Sequence, residues 1–162
     1  MSQIKLARVD SRLIHGQVMT RWVMDLKINK IIVVDDSTFK NAILSRVLKM
    51  AAPVGVEVEL YDVESGITAL SNFNEKDSIL LLFKDVFTAS KLIDNGVKFS
   101  ELQIGGVGGG PERKKVYKNV SLTIEEYDVL AKLSEKDVQV YFQPIPEDKP
   151  CYITTVSRDN LL

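Results

Sequence analysis

Short apolar segments alternate with amphipathic segments along most of this chain, and this alternation limits the fold more than any other feature. Six segments are typical of strands, at residues 4–9, 31–34, 56–60, 79–83, 102–104 and 138–142. Most of them are continuously apolar, which indicates strands buried on both faces of a parallel sheet. Strands that alternate with helical patterns at this spacing predict an α/β fold with right-handed crossovers.

Helical periodicity fills the segments between these strands. The first two apolar stripes are Val18, Met19, Trp22, Val23 and Leu26, and Ile43, Leu44, Val47, Leu48 and Ala51. Weaker patterns cover residues 65–73 and 86–93, and residues 123–126 match a capping box that begins a last helix. We expect one domain over residues 1–162, with a mainly parallel central sheet of six to seven strands and helices on both faces. Residues 105–118 are expected to be irregular, and residues 152–156 to form a short edge strand.

Composition limits the function. A formal net charge of -1 argues against a dedicated nucleic-acid binder, because such proteins carry a strongly basic surface. Lys5 and Arg8 interrupt any apolar leader, and no apolar run is long enough to span a bilayer. Cys151 is the only cysteine, which fits a reducing cytoplasm, and His15 is the only histidine. We therefore expect no disulfide, no metal centre and no cofactor.

The most unusual segment lies where the first strand ends. Arg8 and Asp10 fall on one side of that strand, Arg12 follows, and His15 and Gly16 come directly before a helical pattern. Ligands bind at such strand-to-helix joins in open α/β sheets, and a helix N-terminus suits a phosphate. Two interpretations stay open. Either Arg8 and Asp10 form a structural ion pair, or Asp10 orients arginines that face an anion.

His15 also has two interpretations. It lies on the same helical stripe as Met19 and Trp22, which favours an ordinary first-turn residue packed against the core. Arg12, Gly16 and the position at the end of the first strand favour a phosphoryl acceptor instead. In that case an arginine and the helix N–H groups would face the phosphoryl oxygens.

Polar residues follow the other strands at the same edge of the sheet. Asp35, Asp62 and Asp85 each either cap the next helix or contribute to a site. The glycine-rich segment 105–111 looks like a phosphate cradle, but its spacing matches neither common nucleotide-binding pattern. A mobile loop is the expectation there. Residues 113–118 make it basic, so it either suits an acidic partner surface or is simply solvated.

The order of these residues resembles a known family. Residues 4–18, Ile-Lys-Leu-Ala-Arg-Val-Asp-Ser-Arg-Leu-Ile-His-Gly-Gln-Val, are similar to the start of the IIB component of the bacterial phosphoenolpyruvate-dependent sugar phosphotransferase system, mannose/fructose/sorbose family. Trp22 stands where that family has a tryptophan, and residues 32–36, 103–106, 120–123 and 142–146 are also similar. The resemblance covers essentially the whole chain, whereas residues 108–111 depart from it.

The resemblance implies a phosphotransferase that works as a phosphohistidine carrier. The family's phosphorylated histidine maps onto His15, with Nδ1 as the reacting nitrogen and a IIA protein or domain as donor. The acceptor is a sugar carried by the membrane-embedded IIC and IID components, which implies a cytoplasmic protein held peripherally at the membrane. We expect His15 and Arg12 to be catalytic. The expected phosphate-binding or orienting residues are Arg8, Asp10, Gly16 and Gln17.

Two other functions stay open on the sequence. Asp35, Asp36, Asp62 and Lys84 superficially suit a receiver-like signalling domain phosphorylated on aspartate, although the acidic pair follows the second strand and not the first. A non-catalytic regulatory module of the same fold would not need His15. The sequence identifies neither the sugar, with N-acetylgalactosamine, mannose, fructose and sorbose all open, nor the oligomeric state, and a homo-oligomer is left open.

Overall fold

A seven-stranded sheet forms the centre of the protein, whose computed structural model describes residues 3–72 and 74–162. The strands of the described residues are β1 (Ile4–Asp10), β2 (Lys30–Val34), β3 (Glu57–Tyr61), β4 (Ile79–Phe83), β5 (Glu101–Gly106), β6 (Lys114–Tyr117), β7 (Val120–Leu122), β8 (Gln139–Phe142) and β9 (Cys151–Tyr152). Of these, β6 and β7 form a separate two-stranded sheet. The order in the sheet is β3-β2-β4-β1-β5-β8-β9. Neighbours pair in parallel except β8 and β9, which are antiparallel at one edge.

Helices cover both faces of this sheet, as the sequence predicts. They are α1 (Gly16–Asp25), α2 (Asp36–Phe39), α3 (Ala42–Ala51), α4 (Val63–Ala69), α5 (Val86–Asp94) and α6 (Ile124–Glu135). Trp22 of α1 and Leu48 of α3 pack into one core, and Leu92 of α5 and Leu130 of α6 pack into the core on the opposite face. Within the described part of the chain, no helix is both long and apolar enough to cross a membrane.

The central strands are apolar throughout because both of their faces are buried. Ile79, Leu81 and Phe83 of β4 point into the α5 and α6 core, while Leu80 and Leu82 point into the α1 and α3 core. Alternate side chains of a strand lie on opposite faces, so a continuous apolar run is what two cores require. The prediction of a single α/β domain built on a mainly parallel sheet is confirmed.

Three of the parallel strands, β2, β3 and β4, are each followed by a helix with a side-chain cap. Asp35, Asp62 and Asp85 each accept a hydrogen bond from the backbone N–H three residues further on. Thr123 and Glu126 form the predicted capping box, in which each side chain accepts from the other residue's N–H at 3.1 and 2.9 Å. Capping therefore accounts for the three aspartates at the strand ends.

The structure corrects the prediction for residues 105–118. Residues 105 and 106 complete β5, and β6 pairs with β7 in a two-stranded antiparallel sheet. These strands were not predicted, because β6 begins with two exposed lysines and β7 is only three residues long. The edge strand predicted over residues 152–156 is shorter, since β9 ends at Tyr152 and a 3-10 helix, Ile153–Thr155, follows.

Two helical predictions also change, and one short helix was not predicted. The helix predicted over 65–73 is α4, which ends at Ala69, and Phe73 lies outside the described residues, as does the side chain of Val18. The four-residue helix α2 was not predicted, because it is too short to show apolar periodicity. Most of the apolar stripe of α3 faces away from the core. Only Leu48 of that helix is buried.

Candidate active site

β1 is the strand from which the candidate site is built. It lies between β4 and β5, near the middle of the sheet. After β1 the chain crosses through α1 to β2 on one side, whereas β5 and β8 lie on the other side. Where strand order diverges in this way, a crevice opens at the carboxyl ends of the strands and serves as the usual ligand site of such folds. Asp10 and His15 lie at that edge.

A tight turn carries the chain from β1 to His15. The N–H of Ser11 donates to the Gly106 carbonyl at 2.8 Å, and the N–H of Leu13 donates to the Asp10 carbonyl at 2.9 Å. Leu13 has a left-handed φ of 58°, which costs about 1–2 kcal/mol for a residue with a Cβ. The buried side chains of Leu13 and Ile14 offset this cost by anchoring the turn in the core. His15 is thereby held at the rim.

The Asp10 carboxylate is the hub of the site. Its side chain is completely buried. One oxygen accepts from the Arg8 guanidinium at 3.2 Å and contacts His15 Nε2 at 2.9 Å. The other accepts from the backbone N–H of Arg12 at 3.1 Å, and Arg12 Nε lies 3.9 Å from it. Four of the residues expected at the site, Arg8, Asp10, Arg12 and His15, therefore meet at the Asp10 carboxylate.

The contact with Asp10 determines which nitrogen of His15 is free. An ionised carboxylate can only accept hydrogen bonds, so the proton of the neutral imidazole lies on Nε2. Nδ1 then carries the unshared electron pair. The side chain of His15 is 18% exposed, so part of the ring is open to solvent. This arrangement gives an imidazole with a fixed tautomer, a fixed ring orientation and an unshared electron pair at Nδ1.

Arg8 lies beneath Asp10 and is almost entirely inaccessible, with 1% of its surface exposed. Its guanidinium also donates to the Gln103 side-chain oxygen and to the carbonyls of Gln143 at 3.0 Å and Pro144 at 2.9 Å. Burial lowers the pKa of Arg8 from its ordinary value, and the Asp10 carboxylate opposes that shift. Arginine stays charged in proteins, so the buried pair is ionic. Arg8 does not reach the surface where a ligand would approach.

Two glycines make room for this pair. A Cβ built on Gly105 would lie 1.9 Å from the Cζ of Arg8, and one built on Gly106 would lie 3.1 Å from an Asp10 oxygen. The first distance is far below any van der Waals contact, so only glycine fits there. Gly105 and Gly106 therefore serve the close approach of β5 to the buried ion pair, and not a mobile loop.

The loop that joins β8 to β9 closes the site from the side. It supplies the Gln143 and Pro144 carbonyls to Arg8. Its Glu147 pairs with Arg21 of α1, and its buried Asp148 pairs with Lys118. This pairing raises the pKa of Lys118. Two ion pairs thus fix the loop against its neighbours.

Three of the residues expected at the site lie on its solvent-exposed side. The Arg12 side chain is 67% exposed, and Gly16 and Gln17 are exposed at the start of α1. Gly16 has a φ of 55°, and a Cβ there would meet nothing within 4 Å, so backbone conformation explains this glycine better than crowding does. The side chain of His15, which precedes α1, makes no capping hydrogen bond, and the first N–H groups of a helix have no partner within it. The exposed Arg12 and these N–H groups suit an anion.

The residues that hold Arg8 in place were not predicted from the sequence. No function was predicted for Gln103, although it is a polar residue inside an apolar strand and is completely buried. That interruption was the available signal, because a buried amide requires partners. Gln143 and Pro144 contribute only backbone carbonyls to Arg8, which no side-chain pattern reveals.

The family model described as "PTS system sorbose subfamily IIB component" matches residues 4–160. The chain belongs to this family. The family was expected from residues 4–18, and the match extends over nearly the whole sequence.

Named relatives and solved structures agree with this assignment. The sorbose-specific EIIB component of Lacticaseibacillus casei is 32% identical over 146 residues, which cover 90% of this chain and 89% of that protein. The crystal structure of manxB from Thermoanaerobacter tengcongensis superposes with a TM-score of 0.87 at 37% identity, covering 94% of this chain and 93% of the other. The mannose-specific EIIAB component of Escherichia coli K12 is 30% identical over 90% of this chain, which spans only 45% of that longer relative.

Proposed function

We propose that this chain is a phosphohistidine carrier. It accepts a phosphoryl group from a IIA protein or domain on His15 and transfers it to a sugar during uptake through membrane IIC and IID components. The observation that carries the proposal is the 2.9 Å contact between His15 Nε2 and the buried Asp10 carboxylate, which leaves Nδ1 as the nucleophile. The chain would work in the cytoplasm, next to those membrane components.

The proposed reaction has two displacements. In the first, the Nδ1 electron pair of His15 attacks the phosphorus of the IIA phosphohistidine, and the N–P bond of the donor breaks. In the second, a sugar hydroxyl oxygen attacks the phosphorus on His15 and passes its proton to solvent. The Nδ1–P bond breaks, and its electron pair returns to Nδ1. Charge spreads over the equatorial phosphoryl oxygens in such loose transition states, so positioning and fixed positive charge supply most of the catalysis.

Arg12 is the proposed phosphoryl clamp. Its backbone is tied to Asp10 at 3.1 Å, while its side chain extends into solvent near the histidine. A guanidinium can bind phosphoryl oxygens through two parallel hydrogen bonds. The N–H groups of Gly16 and Gln17 at the start of α1 would bind the remaining oxygens.

Arg8 and Asp10 are proposed as positioning residues. Arg8 is too deeply buried to touch a phosphoryl group, so it would act through Asp10 by keeping that carboxylate ionised and in place. Asp10 in turn holds the His15 ring. Both interpretations of the Arg8–Asp10 pair therefore apply in part, since the pair is structural and also orients the site.

Phosphorylation on aspartate has less support. Asp35 accepts hydrogen bonds from the N–H and hydroxyl of Thr38 at 3.0 and 2.6 Å, and Asp62 accepts from Ser65. These carboxylates are occupied at helix starts. The proposed acceptor is a sugar of the kinds for which the relatives are named, which are sorbose, mannose, fructose and N-acetylgalactosamine.

The test is phosphopeptide mass spectrometry at alkaline pH after incubation with phosphoenolpyruvate, the general phosphotransferase proteins and a IIA partner. A base-stable phosphate on His15, absent in His15→Ala, is the expected result. Phosphate on an aspartate would replace the carrier with the receiver function. No phosphate from a demonstrably active IIA protein would favour a non-catalytic module.

The role of Arg12 is tested in the same system by Arg12→Ala. We expect slower transfer with little change in the unfolding temperature, since the side chain is exposed. Lys91→Ala removes an exposed cation from α5 and serves as the matched control. Equal losses of rate and stability in Arg12→Ala would contradict the clamp.

A further inference from the structure

Helix α3 exposes an unusual amount of apolar surface. Ile43, Val47 and Met50 are 76%, 55% and 77% exposed, and they lie on one side of the helix at helical spacing. Leu44 and Val54 are also exposed. We call these five residues the α3 surface. Contiguous exposed apolar residues on a soluble domain indicate a binding surface.

The charged residues of the segment that carries the α3 surface are all positive. Between Lys40 and Val54 the chain has three basic residues and no acidic residue. Arg46 and Lys49 are exposed, and neither forms an ion pair with any residue in ranges 3–72 and 74–162. Lys40 differs, because its charge, after the hydrogen bonds from Ser65, helps to lower the pKa of Asp62. The occupant should therefore combine apolar groups with negative charge.

This charge pattern decides among three occupants. A second copy packed against the α3 surface would bring Arg46 and Lys49 of both chains together, and such like-charge contacts oppose association. Cytoplasmic loops of membrane proteins carry an excess of lysine and arginine, so the membrane components invoked in the proposed function would also repel these residues. An anionic lipid leaflet offers negative headgroups above an apolar layer, which matches both features.

We propose that the α3 surface docks reversibly on an anionic lipid bilayer. Ile43, Val47 and Met50 would enter the boundary between headgroups and acyl chains, and Arg46 and Lys49 would contact the headgroups. The α3 surface lies on a face of the sheet, whereas His15 lies at its carboxyl edge. Lipid contact would thus hold the protein at the membrane while the histidine stays open to its phosphoryl donor and acceptor.

Vesicle co-sedimentation tests this proposal on the intact chain. We compare vesicles of phosphatidylcholine alone with vesicles in which phosphatidylglycerol replaces roughly one third of the lipid. Binding is expected only to the anionic vesicles and should weaken as salt is added. Each basic residue at an anionic leaflet strengthens binding about fivefold, so Arg46→Gln with Lys49→Gln should weaken it about 25-fold.

Two further variants separate the apolar and charge contributions. Val47→Glu should abolish binding without unfolding the protein, because Val47 is already exposed, and its thermal unfolding serves as the check on folding. Lys91→Gln with Lys98→Gln makes the same change in net charge with exposed residues of α5 and the segment after it, on the opposite face. This control should bind like the unaltered chain.

Several outcomes would overturn the proposal. They are the absence of binding to anionic vesicles, an equal loss in the control double variant, and binding only when IIC and IID are present in the vesicles. A dimer in sedimentation velocity that Val47→Glu dissociates would assign the surface to a second copy. Phosphorylation of His15 in solution is measured separately on each variant, so failure of the proposed function is distinguishable from failure of lipid docking.

Discussion

Replacing Asp10 by asparagine should reverse the tautomer of His15. The two oxygens of Asp10 have different partners, since one accepts from the Arg12 N–H and the other faces Arg8 and His15 Nε2. In Asp10→Asn the single remaining oxygen is needed by the Arg12 N–H, because the Arg8 guanidinium keeps other acceptors at Gln103, Gln143 and Pro144. The new NH2 group then faces His15, which can bond to it only by accepting at Nε2. That places the imidazole proton on Nδ1 and blocks the nitrogen proposed as the nucleophile.

The size of the effect follows from the hydrogen bonds that must be given up. To recover the reactive tautomer, Nε2–H of His15 and the new NH2 group must face each other as two donors. Each buried donor left without an acceptor costs about 1–3 kcal/mol, or about 2–6 kcal/mol in total. Since about 1.4 kcal/mol corresponds to a factor of ten, phosphorylation should slow by about 30-fold to about 10⁴-fold. Stability should fall by about 3 kcal/mol, because the Arg8 charge loses its carboxylate.

Two measurements check this prediction. Quenched-flow transfer from phosphorylated IIA gives the rate, and two-bond ¹⁵N–¹H spectra give the tautomer from one imidazole signal, because His15 is the only histidine. Rates are compared at a temperature where both proteins are fully folded. If Asp10→Asn kept the proton on Nε2, or transferred within about threefold of the original rate, the assigned role of the Asp10–His15 contact would be wrong.

Three further predictions concern stability. Gly105→Ala should lower the free energy of unfolding in urea by about 3 kcal/mol, because the new Cβ would displace the Arg8 guanidinium. The control Gly109→Ala should be nearly neutral, because a Cβ at that position meets nothing within 4 Å. Equal effects of the two substitutions would contradict the packing argument. Thr123→Ala should cost about 1 kcal/mol in thermal unfolding through loss of the capping box, and Thr123→Ser should retain most of it. Burial raises the pKa of Tyr141 to about 12, so this phenol stays neutral in the folded chain while it ionises above about 10 in the unfolded chain. Its contribution is therefore complete below pH 10 and lost as pH rises through 12, and urea titrations should show a flatter decline over this window in Tyr141→Phe.

Elements whose signals are local could be predicted from the sequence. The strand β4 follows from five consecutive apolar residues, and the start of α6 follows from Thr123 and Glu126, three positions apart. In both cases the residues that stabilise the element lie within the element itself. Short-range pattern and capping chemistry were sufficient there.

The arrangement around Arg8 could not be predicted in the same way. The sequence placed Arg8 beside Asp10 but left open whether it faces a ligand. Its other partners, Gln103 and Pro144, lie 95 and 136 residues further along the chain. Which of them meet Arg8 depends on strand order and on the space left by Gly105, and neither is encoded near residue 8.

Helix α3 shows a different limit. Its apolar periodicity correctly predicted a helix, yet Leu48 is its only buried residue. Periodicity reports that one side of a helix avoids water. It does not report whether that side meets the protein's own core or an external surface.

The wide sequence separation of the contacts around Arg8 has a consequence for how the chain acquires its chemistry. Residues 4–18 contain Arg8, Asp10 and His15, but the carbonyls that hold Arg8 are synthesised more than 120 residues later, at Gln143 and Pro144. Contacts that close such long loops form late in folding, because the loss of chain entropy precedes their gain. A nascent chain still attached to the ribosome, or a fragment that ends before β8, therefore carries His15 without the geometry that prepares it.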